Sequence, residues 1–428
     1  MVPADKPFTK RRVKGRMDER LAAAAMPRML WTNARQTQRS SALRRFATWL
    51  VGALTLATAH AQQPVEVAFA GFAYAGAEST LDARFPHSRE YAKAMQSAGT
   101  TVYQKLQSAL QATPPTNFQL VGQIEQLKGR DQALAVALVI GAETVVSEQF
   151  GELHKLTVLI RGQAMFFDFK SMSVVRAYPL SFAYIDLLSR PPTKEEIQTR
   201  VRMVYEGAND KPGILSRFAT SVAQATVPTL VPRYLQVTSA QISAEALDAL
   251  PEYIKSTPGA AQSWLADIVG EAISTRLGVP VVPYTNGYAI NSVMSMRVSD
   301  GEVWQLKMPT PDFEVSADLT ALKKIKFDEV SGGATSFVYG AYAQLRIEDA
   351  LKKGLNTSIK NGETRVIPAS QKYVDNFPHF YDAINGLFVK TALAVDGRGD
   401  EKWIKSAAPA QNIVDQLAQV KEMVKQCK

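Results

Sequence analysis

Cysteine is almost missing from this chain. Cys427, one residue from the end, is the only one in 428 residues. A single thiol excludes an intramolecular disulfide and every C-x-x-C motif. No cysteine follows the apolar stretch near the N-terminus, which excludes a lipid-attached cysteine at that site. A reactive thiol on the last turn is a poor nucleophile, because nothing there holds a rigid geometry. It is expected to be an inert thiol on a frayed tail, the alternative being an intermolecular disulfide.

Histidine is nearly as scarce: His60, His87, His154 and His379 are far apart in sequence. There is no H-E-x-x-H, G-x-S-x-G, Walker A loop or G-x-G-x-x-G. The common sequence marks of zinc peptidases, α/β hydrolases and nucleotide binders are therefore missing.

An excess of one charge is also missing from most of the chain, despite a formal net charge of +9. Residues 1–45 hold twelve of the 49 Lys/Arg and three of the 40 Asp/Glu, which leaves 37 of each in the remainder. A neutral remainder has no global electrostatic attraction for polyanions, so nucleic acid is not expected as a partner.

What is present begins with an export signal. Arg44 and Arg45 precede the apolar run Phe46–Ala57, and Ala59-His60-Ala61 gives a small-x-small cleavage site before Gln62. The run has about 12 residues where a spanning helix needs roughly 20, so it reads as a cleaved signal rather than an anchor. The first 25 residues lack signal character, and Met26 or Met29 is the expected translation start. The expected location is the periplasm or beyond it, with no stable membrane span after processing.

Hydrophobic residues make up 46% and charged residues 21%, the balance of a globular core. The patterning predicts an α/β (α+β) chain of two small mixed-sheet domains with antiparallel meanders. The divisions are a leader over 1–61, a first domain over 62–190, a helical connector over 191–232, a second domain over 233–396, and a linker with a C-terminal helix over 397–428.

In the first domain the pattern predicts a strand over Val65–Tyr74, a helix over Ser88–Leu110, an apolar helix over Asp131–Leu138 and long strands over 155–181. Thr193 with Glu196 has capping-box spacing. In the second, a strand starts at Tyr234, a helix covers Ser263–Leu277, and a meander runs through 302–308, 313–319, 324–330 and 336–347. Gly332-Gly333 is one of its turns. First strands at 65 and 234, helix centres near 99 and 270, and short strands at 118 and 279 keep nearly constant offsets. An internal duplication is therefore expected, without residue identity between the halves.

Ala133–Ser181 (ALAVALVIGAETVVSEQF…VVRAYPLS) resembles the helix, Gly-Ala, strand and meander block of periplasmic domains such as the curli-export lipoprotein and the amino-terminal domain of the Tol-system propeller protein. The resemblance covers about 65–181, and the chain lacks both the acylated cysteine and the propeller repeats. It implies a binding or assembly module of the envelope, with no catalytic residue carried over.

Three side chains are weak polar-site candidates. His379 and Asp382 lie at the start of a helix among Phe377, Phe380 and Tyr381, and His87 follows Pro86. No catalytic residue, metal ligand or cofactor is expected. The expected role is a non-catalytic accessory or scaffold in envelope or surface-structure assembly or export, partnered by an envelope or secretion-system protein. The sequence is compatible with an oligomer. The alternatives are a periplasmic hydrolase of cell-wall or surface polysaccharide and a small-ligand binding protein.

Overall fold

The structure, a computed structural model, describes residues 65–75, 78–122, 133–208, 210–227, 233–255, 258–284, 293–298, 303–330, 334–349 and 353–427. The leader, its cleavage residues Ala59, Ala61 and Gln62, and the Gly332-Gly333 turn lie outside the described residues. Helices and strands are combined in mixed sheets, an α/β chain consistent with two mixed-sheet domains, and Gln63–Lys428 forms one compact unit.

The first half runs β1 (Glu66–Ala75), α1 (Glu78–Arg84), α2 (Pro86–Ser97), α3 (Val102–Ala112), β2 (Gln119–Val121), β3 (Leu134–Phe150), β4 (Leu153–Asp168), β5 (Ser173–Leu188) and α4 (Lys194–Glu206). A two-residue hairpin, β6 (Gly207–Ala208) with β7 (Lys211–Pro212), leads to α5 (Ile214–Gln224). β1 lies parallel to β2 on one side and to β3 on the other, and β3, β4 and β5 form an antiparallel meander.

The second half repeats this plan. β8 (Leu235–Ile242) is followed by α6 (Ala244–Asp248), α7 (Glu252–Lys255) and α8 (Ala260–Leu277). Val282 then makes a parallel bridge to Gln236, in the place of β2. β11 (Phe313–Val330) lies parallel to β8 and opens a second meander with β12 (Ala334–Asp349) and β13 (Lys353–Ile367). Helices α9 (Phe377–Asp396), α10 (Glu401–Ala407) and α11 (Ile413–Lys425) close the chain.

The irregularities recur as well. The unpaired extra residue is Ala70 in β1 and Thr238 in β8, Gly141 in β3 and Thr320 in β11, Val175 in β5 and Gly354 in β13. Bulges bend a strand at a defined point, so three matched bulges argue for one plan used twice.

Between the two meanders the chain inserts a hairpin, β9 (Val293–Val298) and β10 (Val303–Lys307). β9 pairs with the end of β1, and Lys307 pairs with Ser173 at the start of β5, so the first sheet closes into a ring. The 302–308 strand expected in the second meander therefore belongs to the first sheet.

The sheet faces follow from side-chain size. In β3, Leu134, Val136, Leu138 and Ile140 join the core beneath α2–α5. Ala133, Ala135, Ala137 and Val139 face the other way, beside Leu306 of the hairpin and Met308 after it. This alternation of large and small apolar residues is a strand period. It corrects the helix expected over 131–138: both classes are apolar, so the period was hidden.

Two smaller corrections concern helices. The long helix expected over 88–110 is α2 and α3, broken at Gly99, whose φ of +79 is left-handed, and restarted by a Thr101–Gln104 capping box. The linker expected over 397–410 contains α10, N-capped by Asp400. The Thr193–Glu196 capping box forms as expected.

α8 sits between the two sheets. Its buried residues Trp264, Leu265, Ile268, Val269, Ala272 and Ile273 point to several sides, as in a helix with no solvent stripe. The tail is not frayed: Ile413, Leu417, Val420 and Val424 are buried, and Cys427 ends in the same core at 0% exposure. Burial pushes the Cys427 thiol up to about 12, which keeps it unreactive. No helix among the described residues is long and apolar enough to cross a membrane.

Candidate functional site

Two acids interrupt the apolar sequence of α8, Asp267 and Glu271, one helical turn apart. That spacing places them on one face. The face meets the first sheet. Arg161 of β4 approaches Asp267, Nε to Oδ2 at 3.3 Å, and Ser181 of β5 donates its hydroxyl to Glu271 Oε2 at 2.6 Å. Farther along the same sheet, Lys155 Nζ lies 2.8 Å from both Glu148 and Asp375, the latter just before α9. The two halves are thus joined by a polar seam.

The seam is electrostatically tense. Burial pushes both the Asp267 and the Glu271 carboxyls up. The Arg161 charge opposes this at Asp267, and the Ser181 hydrogen bond followed by the Arg217 charge opposes it at Glu271. Burial alone would lower Lys155, but its bonds to Asp375 and Glu148 outweigh it and hold the ammonium up. Arg161 Nε and Nη1, Gln163 Oε1 and Thr157 Oγ1 are buried without a hydrogen-bond partner. A cavity of about 30 Å³ lies against Arg161, Gln163, Asp267 and Glu271. It is large enough for water and too small for a sugar.

Beside the seam lie two larger hollows, of about 390 and 320 Å³, which share Arg217, Glu271 and Thr275 as walls. They are bounded by β5, α5 and α8, with Tyr381 and Asn385 of α9 on the second. Among the described residues Glu271 is the only carboxylate on either wall. A further hollow, about 590 Å³ around Pro114–Gly122, adjoins residues outside the described set.

The sequence-derived candidates fall elsewhere. His379 packs against the Tyr339 ring, centroids 4.8 Å apart, and burial followed by the Arg365 charge lowers its pKa. Asp382 pairs with Arg365 at 2.7 Å. Asp382 influences His379 through its charge, but no hydrogen bond joins the two. His87 sits at the start of α2, where Glu143 accepts from the backbone N–H groups of His87 and Ser88 at 3.0 and 2.7 Å. That carboxylate caps the helix. The His87 ring faces Gln198, Nδ1 to Nε2 at 3.2 Å. The two histidines share no neighbour in these contacts. Among the described residues no three His, Cys, Asp or Glu side chains converge as a metal site requires.

Asp267, Glu271, Arg161 and Lys155 were not singled out from sequence. The available signal was two acids at i, i+4 in an otherwise apolar helix, which calls for a polar partner. Compared with known proteins, the chain matches no family model and no curated protein.

Proposed function

We propose that this protein is an exported, non-catalytic scaffold of the cell envelope, acting in the periplasm by adding a strand from a partner protein to β13. The observation that carries the reading is the uncovered edge of the second sheet. β13 ends the order β13-β12-β11-β8, and no strand among the described residues pairs on its far side.

Near its start the edge is closed, since the Asn356 N–H donates to Gln416 Oε1 of α11 at 2.9 Å. Backbone groups of an antiparallel edge strand point outward at every second residue. The same outward set therefore includes Ser358, Lys360, Gly362, Thr364 and Val366, all exposed. At the same end of the sheet, Val366 of β13 is 55% exposed, and Phe327 and Ile325 of β11, beyond β12, are 72% and 50% exposed. A free edge with an apolar patch at one end is the form that strand addition uses.

The test is a photoreactive residue at Thr364 in cells, with Glu252, also exposed, as the control position. Adducts at Thr364 alone, in the periplasmic fraction, support the reading. Equal labelling at both positions, or retention of the unprocessed chain in the cytoplasm, sinks it.

A further inference from the structure

The two hollows beside the seam are independent of the free edge, and their chemistry is unlike it. Three cations stand on their walls: Lys211 before α5, Arg217 on α5 and Arg276 on α8. Most basic residues of this protein near an acid are paired, as Arg200 is with Asp186 and Arg365 with Asp382. These three form no ion pair among the described residues.

Arg217 is held in place without being neutralised. Its Nε donates to the Pro212 carbonyl at 3.0 Å, and its guanidinium lies over the Phe182 ring, 5.2 Å from the centroid. The terminal nitrogens make no hydrogen bond among the described residues. A guanidinium fixed through Nε presents the two-pronged donor edge that suits a carboxylate or phosphate.

The opposing charge is small. Glu271 is the lone acid on the walls among the described residues, and one of its oxygens already accepts from Ser181. The Tyr381 hydroxyl and the Asn385 amide line the same hollow and make no side-chain hydrogen bond among the described residues. Unused donors and acceptors beside unpaired cations call for a ligand that carries hydroxyls as well as negative charge. The volumes, about 320 and 390 Å³, fall at the low end of small-molecule sites.

We propose that the cleft between β5, α5, α8 and α9 binds a small hydroxylated anion, phosphate- or carboxylate-bearing, with Arg217 as the two-point anchor. Lys211 and Arg276 supply further positive charge, and Tyr381 and Asn385 take the ligand's hydroxyls. This goes beyond the scaffold reading and stands or falls separately from it.

Isothermal titration of the full chain with glucose 6-phosphate, glucuronate and glucose tests it. Binding of one charged sugar and no binding of glucose is the expected result, and which anion binds identifies the charged group. Lys211→Gln and Arg217→Gln should each weaken that binding by about tenfold, while Lys323→Gln, on the outer face of the second sheet, should leave it unchanged. Lys211 is exposed, so its variant tests the site without risk to the fold. Absence of heat with both anions at about 10 mM, or an equal loss in Lys323→Gln, overturns the proposal.

Discussion

β5 and β13 are the same strand of the same plan, and their surroundings differ completely. The edge of β5 is occupied over its first half. Lys307 pairs at its start, the Val281 N–H donates to the Ala177 carbonyl, and Pro179 removes a donor. Its sheet face is covered by the β9–β10 hairpin at one end and by α8 at the other. β13 keeps an open edge, and its outer face carries Asn356, Ser358 and Lys360 in contact with solvent.

The residues record this difference. Ala135, Ala137, Val139, Met165 and Phe167 of the first sheet correspond by register to Glu314, Ser316, Asp318, Arg346 and Glu348 of the second. The covered set is apolar. The uncovered set is polar, four of its five residues charged, with Arg346 3.4 Å from Asp318. One backbone plan thus serves as an internal building block in the first half and as a surface in the second.

If the halves are one cooperative unit, damage to either core should lower a single unfolding transition. Phe166→Ala in the first core should cost about 3–5 kcal/mol and Leu345→Ala in the second about 2–5 kcal/mol. Denaturant unfolding followed by fluorescence and circular dichroism reads both. Two separated transitions would break the comparison into two independent domains.

The seam is the next largest effect. Arg161→Ala leaves Asp267 without its counter-charge, for an expected loss of roughly 1–3 kcal/mol. Combined with Asp267→Asn, the double variant should lose less than the sum of the two single changes. Strict additivity would mean that the pair contributes nothing to holding the halves together.

The seam also sets a pH dependence. Burial raises the native pKa of Asp267 and Glu271 above their unfolded values. Between the ordinary carboxylate range and the raised value, the native state holds more protons than the unfolded state. The contribution of these groups to stability is therefore present at low pH and is lost as pH rises through that window. Glu271→Gln should flatten the decline of Tm measured over roughly pH 4 to 7. An unchanged profile would remove Glu271 from the seam.

The smallest effect belongs to the open edge. Thr364→Pro removes an outward N–H and should change stability by less than about 1 kcal/mol, because proline is tolerated where an edge donor faces water. The same change should abolish the Thr364-centred crosslink, tested with the photoreactive residue moved to Val366. A large loss of stability would show that the edge is already used.

Much of this was legible in the sequence. The α/β class, the duplication, the capping box at Thr193 and the C-terminal helix follow from spacing that physics constrains tightly. What escaped has a common cause. The strand at 134–140 alternates in size, not in polarity, and a polarity pattern cannot register it. The β9–β10 hairpin skips over its neighbours in sequence to pair with β1 and β5, and no local pattern encodes a non-local partner. Arg161 lies within a strand pattern that carries no sign of its partner. Its role depends on a helix 106 residues later, at Asp267.

The placement of that late hairpin governs how the protein comes into being. A chain made from its N-terminus has β1–β5 and their helices by Gln224, but α8 and the β9–β10 hairpin, which cover the other face and close the ring, end only at Lys307. For the synthesis of some 80 residues, an alanine-lined face and the end of β1 stand bare. That interval is the period of greatest aggregation risk for the nascent protein. A chaperone that holds the nascent chain would have its binding surface there, built from the residues later sealed inside.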